Sequence, residues 1–224
     1  DVSLKEARLR NLEGESGFTF HKLDIADRDA MEALIRQHGD ITRVIHLAAQ
    51  AGVRYSLENP RAYVEANVMG HLNLLEIARH RGIAHMVYAS SSSVYGGNDK
   101  VPFSVEDRVD HPYSLYAATK SSTELMGHSY AHLFGTPTTF FRFFTVYGPW
   151  GRPDMALFKF AKLMLEGKPI EVYGEGKMSR DFTFVDDLVE SIVRLVHVVP
   201  GTAPPVEGDT LSHAAPFRLV NIGG

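Results

Sequence analysis

The sequence predicts an α/β fold built on a parallel sheet flanked by helices. Short apolar segments of strand length alternate with longer segments that carry apolar residues at helical spacing, which is typical of such sheets. Residues 43–49 are almost continuously apolar, as expected for a strand that helices cover on both faces. The 224 residues are 44% apolar and 22% charged, which is the composition of an ordinary globular protein.

The first part of the chain, up to Tyr147, contains most strands of the predicted sheet. A helix over 3–12 is followed by a strand at 18–23 and by a helix that Asp27 caps. After the strand at 43–49, the pattern predicts a long helix over 60–81 that ends at Gly82. The remaining elements are a strand at 86–90, a loop at 96–112, a helix at 113–134 and a strand at 138–144.

The sequence changes character after Tyr147, where the turn-forming stretch GPWGRPD begins. From there the pattern predicts a helix at 155–166, a strand at 169–173, a helix at 186–197, a loop at 200–216 and a strand at 218–222. We therefore expect residues 148–224 to form a smaller lobe that is interleaved with the sheet.

The composition excludes several classes of function. With 23 Lys and Arg against 27 Asp and Glu, the net charge of −4 offers no basic surface for nucleic acid. The absence of cysteine excludes a disulfide scaffold and a cysteine nucleophile, and it agrees with a cytoplasmic location. No apolar run approaches the ~18 residues of a membrane span. His128 and His132 are spaced for metal binding but have no nearby acid, so we expect no metal site.

Tyr116 and Lys120 carry the strongest chemical signal. Residues four apart on a helix share a face, so the lysine ammonium would lie near the phenol. A nearby cation lowers the pKa of a phenol from ~10 and makes it a general base near neutral pH. The alternative is a surface pair, because a tyrosine and a lysine occur at this spacing often by chance.

The strand at 86–90 runs directly into a row of serines, Ser90 to Ser93. Hydroxyl groups at the carboxyl end of a parallel strand lie where α/β sheets bind their ligands. A hydroxyl such as that of Ser91 can hydrogen-bond a substrate alcohol and share its proton with a nearby phenol. The alternative is a serine-rich turn without a chemical role.

Five stretches together resemble the extended short-chain dehydrogenase/reductase superfamily, and within it most closely the UDP-glucuronate 4-epimerases. They are 46–55 (HLAAQAGVRY), 88–96 (YASSSSVYG), 114–120 (SLYAATK), 142–155 (RFFTVYGPWGRPDM) and 180–187 (RDFTFVDD). The resemblance covers nearly the whole chain and implies a Rossmann-type sheet, a bound NAD and a UDP-sugar substrate. In that family a hydride leaves sugar C4 for NAD and returns to the opposite face of the ring.

The resemblance assigns catalytic roles to three residues. Tyr116 would take the proton of the C4 hydroxyl, Ser91 would orient it, and Lys120 would hold the nicotinamide ribose. Further cofactor contacts are implied at Asp24 and Ile25 for adenine, at Leu47, Ala48 and Ala49 for the pyrophosphate and ribose, at Asn67 for the supporting loop, and at Ala89, Ser90, Phe143 and Val146 for the nicotinamide. Core packing is the alternative for each of these.

The substrate implied by the resemblance carries a carboxylate at C6, which an epimerase must hold while the ring turns. The planar fork of arginine suits a carboxylate, and we expect Arg152 to fill this role. The alternative is that Arg152 is a turn residue paired with Asp154. Thr145, Ser92 and Ser93 would be the neutral partners of Arg152 at the substrate carboxylate. Arg180 would bind the diphosphate, and Arg54 would assist.

The residues after Ser91 help to separate related reactions. The related 4,6-dehydratases carry an Asp-Glu pair just after the hydroxyl residue, and related uronate decarboxylases carry a glutamate just before Val-Tyr-Gly. Here Ser92 and Ser93 stand at those places, so epimerisation is favoured. A UDP-hexose 4-epimerase, a UDP-uronate decarboxylase and a non-catalytic nucleotide-binding module remain as alternatives.

A Rossmann-type cofactor site also needs a glycine-rich turn after the first strand, and none precedes Asp24. We therefore expect the first βαβ unit to lie outside this sequence, together with later elements of the substrate lobe. Residues 1–147 are expected to form the dinucleotide-binding domain and residues 148–224 the substrate-binding lobe. The resemblance also implies a homodimer that pairs through the helices over 60–81 and 113–134.

Overall fold

The computed structural model describes residues 2–172 and 174–223 and has the predicted α/β architecture. Its strands are β1 (Arg43–His46), β2 (His85–Ser91), β3 (Thr138–Phe143), β4 (Thr145–Tyr147), β5 (Phe182–Phe184) and β6 (Phe217–Ile222). The main sheet is parallel throughout, with the spatial order β1-β2-β3-β6. A separate parallel pair joins β4 to β5.

The helices are α1 (Val2–Arg10), α2 (Arg28–Gln37), α3 (Tyr55–Glu58), α4 (Pro60–Tyr63), α5 (Gly70–Arg81), α6 (Leu115–Phe134), α7 (Ala156–Leu165) and α8 (Val185–Leu195). A π-helical segment, Val64–Met69, joins α4 to α5, so the predicted helix over 60–81 is continuous. A 3-10 turn, Ser92–Tyr95, follows β2 directly. No helix of the described residues is both long enough and apolar enough to cross a membrane.

Local chemistry sets the ends of the principal helices. The Asp27 carboxylate accepts a hydrogen bond from the Ala30 amide at 3.0 Å and so caps α2 as predicted. Ser114 does the same for α6, with its hydroxyl oxygen 3.1 Å from the Ala117 amide. At the other end, Gly82 terminates α5 in the left-handed conformation that glycine adopts without steric cost.

The hydrophobic core lies between the main sheet and the helices α2, α5 and α6. Tyr88 of β2 and Phe140 of β3 stack with their ring centroids 4.8 Å apart, and both are almost completely buried. Leu75 of α5 is fully buried against the same cluster. Burying a side chain of this size contributes roughly 2–3 kcal/mol, so these contacts fix the helices on the sheet.

The chain divides into two compact units, each discontinuous in sequence. The main unit comprises Leu23–Phe144 with Val189–Gly224, and the second unit comprises Asp1–Lys22 with Thr145–Leu188. These two units therefore differ from the predicted division into residues 1–147 and residues 148–224. The C-terminal segment belongs to the main unit because its strand Phe217–Ile222 pairs with β3. The second unit already begins at Thr145, so it includes β4.

Two predicted strands do not form. Residues 18–23 form no regular element and pair with no described strand, and the side chains of Phe18, Phe20 and Leu23 are exposed. Residues 169–172 are likewise without a ladder, and Tyr173 lies outside the described residues. An apolar run becomes a strand only where a neighbour takes up its backbone hydrogen bonds, so the local pattern alone was wrong here.

Candidate active site

The predicted catalytic residues of the main unit lie at the carboxyl end of β2 and in the first turns of α6. Ser90 and Ser91 end β2, in register with Arg142 and Phe143 of β3. The carboxyl ends of parallel strands share one edge of the sheet, where ligands bind in α/β folds. The topology therefore brings Ser91 and the predicted nicotinamide contact Phe143 side by side.

Lys120 is the predicted site residue of this edge whose contacts are best defined. It is only 6% exposed, and its Nζ donates a hydrogen bond to the Ala89 carbonyl oxygen at 2.7 Å. Burial lowers the pKa of Lys120 to about 8, and the negative charge of Glu124 opposes that shift. Tyr116 lies one helical turn before Lys120 on α6, and its ring packs edge-on against Tyr63 at 6.2 Å. A fixed ammonium and a phenol thus share one helix face.

Ser91 shapes the serine turn as well as contributing a hydroxyl. Its Oγ accepts a hydrogen bond from the Ser93 amide at 3.2 Å and lies 3.1 Å from the Ser93 hydroxyl. This bond caps the 3-10 turn Ser92–Tyr95, after which Gly96 has a φ of 53°. A Cβ at Gly96 would lie 2.0 Å from the His111 carbonyl oxygen, so only glycine fits between the turn and the loop.

A narrow cavity brings together four of the predicted cofactor residues: Ala48, Asn67, Ala89 and Lys120. His46, His71 and Tyr88 line it as well, and the sequence analysis gave none of them a role. Burial, reinforced by the Lys120 charge, lowers the pKa of His46 to about 4. The cavity therefore surrounds the lysine with groups that are neutral near neutral pH.

Asn67 supports the loop after β1 from within the π-helical segment. Its Oδ1 accepts from the Gln50 amide at 2.8 Å, while its Nδ2 donates to the Gln50 carbonyl at 3.1 Å and to the Thr119 hydroxyl at 3.0 Å. The side chain thus satisfies both backbone groups of Gln50 and ties them to α6. Such π-helical turns are frequent at functional sites.

The other predicted contacts of the main unit lie around the ends of β1 and α2. The Asp24 carboxylate accepts from the Ala26 amide at 2.9 Å, and the Ile25 carbonyl accepts from Asn73 at 2.9 Å. Leu47, which follows β1, is half exposed, with Ala48 and Ala49 next in the chain. Arg54 is exposed immediately before α3. Of these residues, Ala48 lines the cavity beside Lys120.

Four predicted contacts belong to the second unit. Thr145, Val146 and Arg180 line a pocket there together with Tyr147, Met155, Ala156, Leu157, Phe158 and Phe182. Arg152 does not line it. Its guanidinium instead forms two hydrogen bonds to the Asp154 carboxylate, at 3.1 and 2.5 Å, which is the alternative raised for it. The pocket itself combines the Arg180 cation with apolar walls. Such a pocket can bind an anionic group whose remaining surface is apolar.

Sequence reasoning missed a buried ion pair beside the lysine. Glu124 of α6 and Arg142 of β3 are almost fully buried, and Nη2 of Arg142 lies 2.8 Å from Oε2 of Glu124. Two signals were available. Glu124 follows Lys120 by one helical turn, and Arg142 is the only charged residue within β3.

The described residues contain no group of three acidic or histidine side chains that could hold a metal ion. The two histidines singled out on α6 contact the loop over 200–216. His128 Nε2 lies 3.0 Å from the Ser212 hydroxyl, and His132 Nδ1 lies 2.7 Å from the Ala214 carbonyl. Their role in the structure is to attach this loop to α6.

Comparison with known proteins identifies the family of this chain. Residues 2–204 match the model of the NAD dependent epimerase/dehydratase family. A protein of Rhizobium meliloti (strain 1021) named "Probable UDP-glucuronate 4-epimerase" is 58% identical over 228 residues, covering 100% of this chain and 67% of its own length. UDP-glucuronate 4-epimerase 1 of Arabidopsis thaliana is 48% identical over 227 residues, which are 52% of its length.

The fold agrees with a solved structure as well. The UDP-glucuronic acid 4-epimerase of Bacillus cereus, crystallised with UDP-glucuronic acid and NAD, superposes with a TM-score of 0.85 at 36% identity. That match covers 100% of this chain and 65% of the solved one. The chain thus spans between about half and two thirds of the length of these relatives. The match over residues 2–204 shows that the chain belongs to the NAD dependent epimerase/dehydratase family.

Proposed function

We propose that the protein is a cytoplasmic, NAD-dependent UDP-glucuronate 4-epimerase that forms UDP-galacturonate and works as a homodimer. The observation that carries the proposal is the hydrogen bond from Lys120 to Ala89, which fixes a buried ammonium one turn from the Tyr116 phenol. A nucleotide-binding module without chemistry has no use for such a pair. The names of the relatives at 58% and 48% identity support the choice of substrate.

The carboxyl edge of the main sheet suits a dinucleotide. Small residues, Ala48 and Ala89, line the cavity beside Lys120, and small side chains let a cofactor approach the backbone closely. Ser90 and Phe143 stand at the adjoining strand ends. These residues would hold NAD, which, when bound, accepts a hydride from sugar C4 and returns it.

The residues of the chain would move the proton of the same step. The Tyr116 phenolate takes the proton from the C4 hydroxyl and gives it back after the ring has turned. The Lys120 ammonium stabilises that phenolate by its charge, since a nearby cation favours the ionised form of a phenol. The Ser91 hydroxyl accepts a hydrogen bond from the Ser93 amide and donates its own to the Ser93 hydroxyl, and it would turn that proton to the sugar oxygen when substrate binds.

The substrate carboxylate would bind to Arg152 in exchange for Asp154. A bidentate pair with a carboxylate already holds the Arg152 fork in the geometry that a C6 carboxylate needs. Thr145, in the same unit as Arg152, would be its neutral partner. Arg180 would contact the diphosphate, and Arg54 would assist.

The dimer would form through α5, α6 and the π-helical segment. Leu125 and Leu133 on α6 are 72% and 64% exposed, and Val64 and Met69 are also exposed. Large apolar side chains in water favour a second copy of the same surface. Sedimentation at micromolar concentration tests this part, and a monomer that stays a monomer on concentration would refute it.

The function is tested by incubating the purified protein with NAD and UDP-glucuronate and separating the sugar products. UDP-galacturonate without release of CO₂ supports the proposal, whereas a pentose product with CO₂ identifies a decarboxylase. Conversion of UDP-glucose but not of UDP-glucuronate would identify a neutral-hexose epimerase. Retention of NAD without any conversion would indicate a binding module.

A further inference from the structure

The side chain of Glu124 lies at the centre of a buried polar network behind Lys120. It is 6% exposed, and its Oε1 accepts hydrogen bonds from Nε of Arg142 at 3.0 Å and from the Ser90 hydroxyl. Its Oε2 accepts from Nη2 of Arg142 at 2.8 Å. Ser90 directly follows Ala89, whose carbonyl oxygen accepts the hydrogen bond from the Lys120 ammonium. One carboxylate therefore connects the strand end that binds the lysine with the helix that carries it.

We propose that Glu124 is a positioning residue that keeps the Lys120 ammonium protonated on the Ala89 carbonyl, and that Arg142 holds Glu124 in place for this task. The importance of this for catalysis rests on the proposed function, because a charged Lys120 matters only if Tyr116 acts as a base. The effect on the lysine itself does not depend on it.

Charge balance supports the proposal. An ammonium taken out of water loses solvation, so it tends to release its proton unless a negative charge lies near it. Burial lowers the pKa of Lys120 to about 8, and among the described residues Glu124 is the carboxylate whose charge acts against this. Without Glu124 the lysine would be neutral over part of the pH range in which it is needed.

The other titratable groups around Lys120 cannot replace that charge. His46 of β1 and His71 of α5 have pKa values lowered by burial, to about 4 for His46 and well below the usual value for His71. Burial raises the pKa of Tyr88 of β2 well above its ordinary value. These three groups are neutral near pH 7, while Tyr116 of α6 is the group on which the lysine acts.

Arg142 of β3 contributes orientation. Its planar fork binds both oxygens of Glu124, and its guanidinium lies 4.8 Å from the centre of the Tyr95 ring. A bidentate pair restricts rotation of the carboxylate, and it compensates the cost of burying it. The Ser90 hydroxyl can then bond to a carboxylate oxygen of fixed position.

The experiment is a titration of Lys120 by carbon NMR in NAD-loaded protein that carries labelled lysine, with the signal assigned through Lys120→Arg. We expect the titration midpoint to fall by about one pH unit in Glu124→Gln. Asp209→Asn is the matched control, because Asp209 and Arg218 form a second buried pair, near the amino end of β6. That control should leave the Lys120 midpoint unchanged.

The double variant Glu124→Leu with Arg142→Met separates charge from structure. It removes both charges of the Glu124–Arg142 pair, so the Arg142 guanidinium is not left buried without a carboxylate, and the protein stays testable even if Glu124→Gln does not fold. The proposal requires a lowered Lys120 midpoint in the double variant too, and a midpoint equal to wild type there would overturn it.

The pH dependence of kcat/KM gives a second readout. If the proposed epimerase activity is present, the alkaline limb of the profile should move to lower pH by the same amount as the lysine midpoint. The lysine titration uses no sugar substrate. An inactive wild type with a displaced midpoint would therefore refute the function alone, and an active wild type with an unmoved midpoint would refute the role of Glu124.

Discussion

Nζ of Lys120 and the carbonyl oxygen of Ala89 are 2.7 Å apart, and this hydrogen bond joins the face of α6 that carries Tyr116 and Lys120 to the end of β2. A hydrogen bond from a charged donor contributes about 1.5–3 kcal/mol. It fixes the lysine and, through the helix, the position of Tyr116 relative to the serines that follow Ala89. The bond therefore fixes the residues of the proposed proton transfer relative to one another before any ligand binds.

Removing the phenolic hydroxyl of Tyr116 should abolish most of the activity. We expect Tyr116→Phe to lower kcat for UDP-glucuronate by about 10²–10⁴-fold, since this is the typical contribution of a general base. Tyr113→Phe is the matched control, because Tyr113 lies three residues earlier and is 80% exposed. Product separation after single and multiple turnovers measures both, and equal activity of the two variants would contradict the role of Tyr116.

Lys120 should make the stability of the protein rise between pH 8 and 10.5. Its pKa is about 8 in the folded protein and near 10.5 when unfolded, so the unfolded chain binds more protons in this window. The free energy of unfolding should therefore increase with pH there, by about 3 kcal/mol from this group. Lys120→Met should lack this increase.

Urea unfolding of both proteins at pH 7.5 and pH 10 measures the difference. The comparison cancels the other groups that titrate at high pH, because they are common to both proteins. If the free energy of unfolding rises by the same amount between these two pH values in wild type and in Lys120→Met, the Lys120 ammonium is not buried in the folded protein.

Much of this site was predictable from local patterns, because its members stand at the ends of strongly patterned elements. Tyr116 and Lys120 share a helix face because of their spacing. Ser91 ends a strand that its run of apolar residues makes recognisable in the sequence. The strand at 18–23 was not predictable in the same way. Its apolar residues satisfy the local rule, but a strand also needs a neighbour, and the local sequence does not specify one.

His46 should make the protein sensitive to acid. Burial, helped by Lys120, lowers the pKa of His46 to about 4, while an unfolded histidine titrates near 6.5. The unfolded state thus binds more protons between these values, and stability should fall by up to about 3 kcal/mol as the pH drops from 6.5 to 4. His46→Phe should remove this part of the loss, because the ring then has no proton to gain.

Thermal unfolding at pH 6.5 and pH 4.5 checks this, with His197→Phe as the control at an exposed position. We expect the difference in Tm between the two pH values to be smaller in His46→Phe than in wild type. The control should behave as wild type does.

The residues that sequence reasoning missed depend on contacts across the fold. Glu124 and Arg142 are 18 residues apart, and only the packing of α6 on β3 makes them a pair. His46 and His71 meet in the same way, with ring centroids 6.1 Å apart. A pattern of one element can show which face is buried, but it cannot show which polar group of another element is buried with it.

Gly127 should tolerate alanine less well than Gly70, although both lie in helices. A Cβ at Gly127 would lie 2.4 Å from the Phe140 ring, which is buried in the core and stacked on Tyr88. A Cβ at Gly70 would lie 2.7 Å from both Cδ1 and Cγ1 of Ile25, a partly buried side chain at the periphery of the core that can give way by changing its rotamer. Alanine favours a helix over glycine by about 1 kcal/mol, but overpacking a rigid core costs roughly 1–3 kcal/mol.

We therefore expect Gly127→Ala to lower the free energy of unfolding and Gly70→Ala to leave it nearly unchanged. Urea unfolding of both variants at pH 7.5 measures the difference, with the slope of the transition showing whether the unfolded state has changed. Equal effects of the two substitutions would mean that the Phe140 ring moves as freely as the Ile25 side chain. In that case α6 would not be held rigidly against β3, and neither would the lysine that α6 carries.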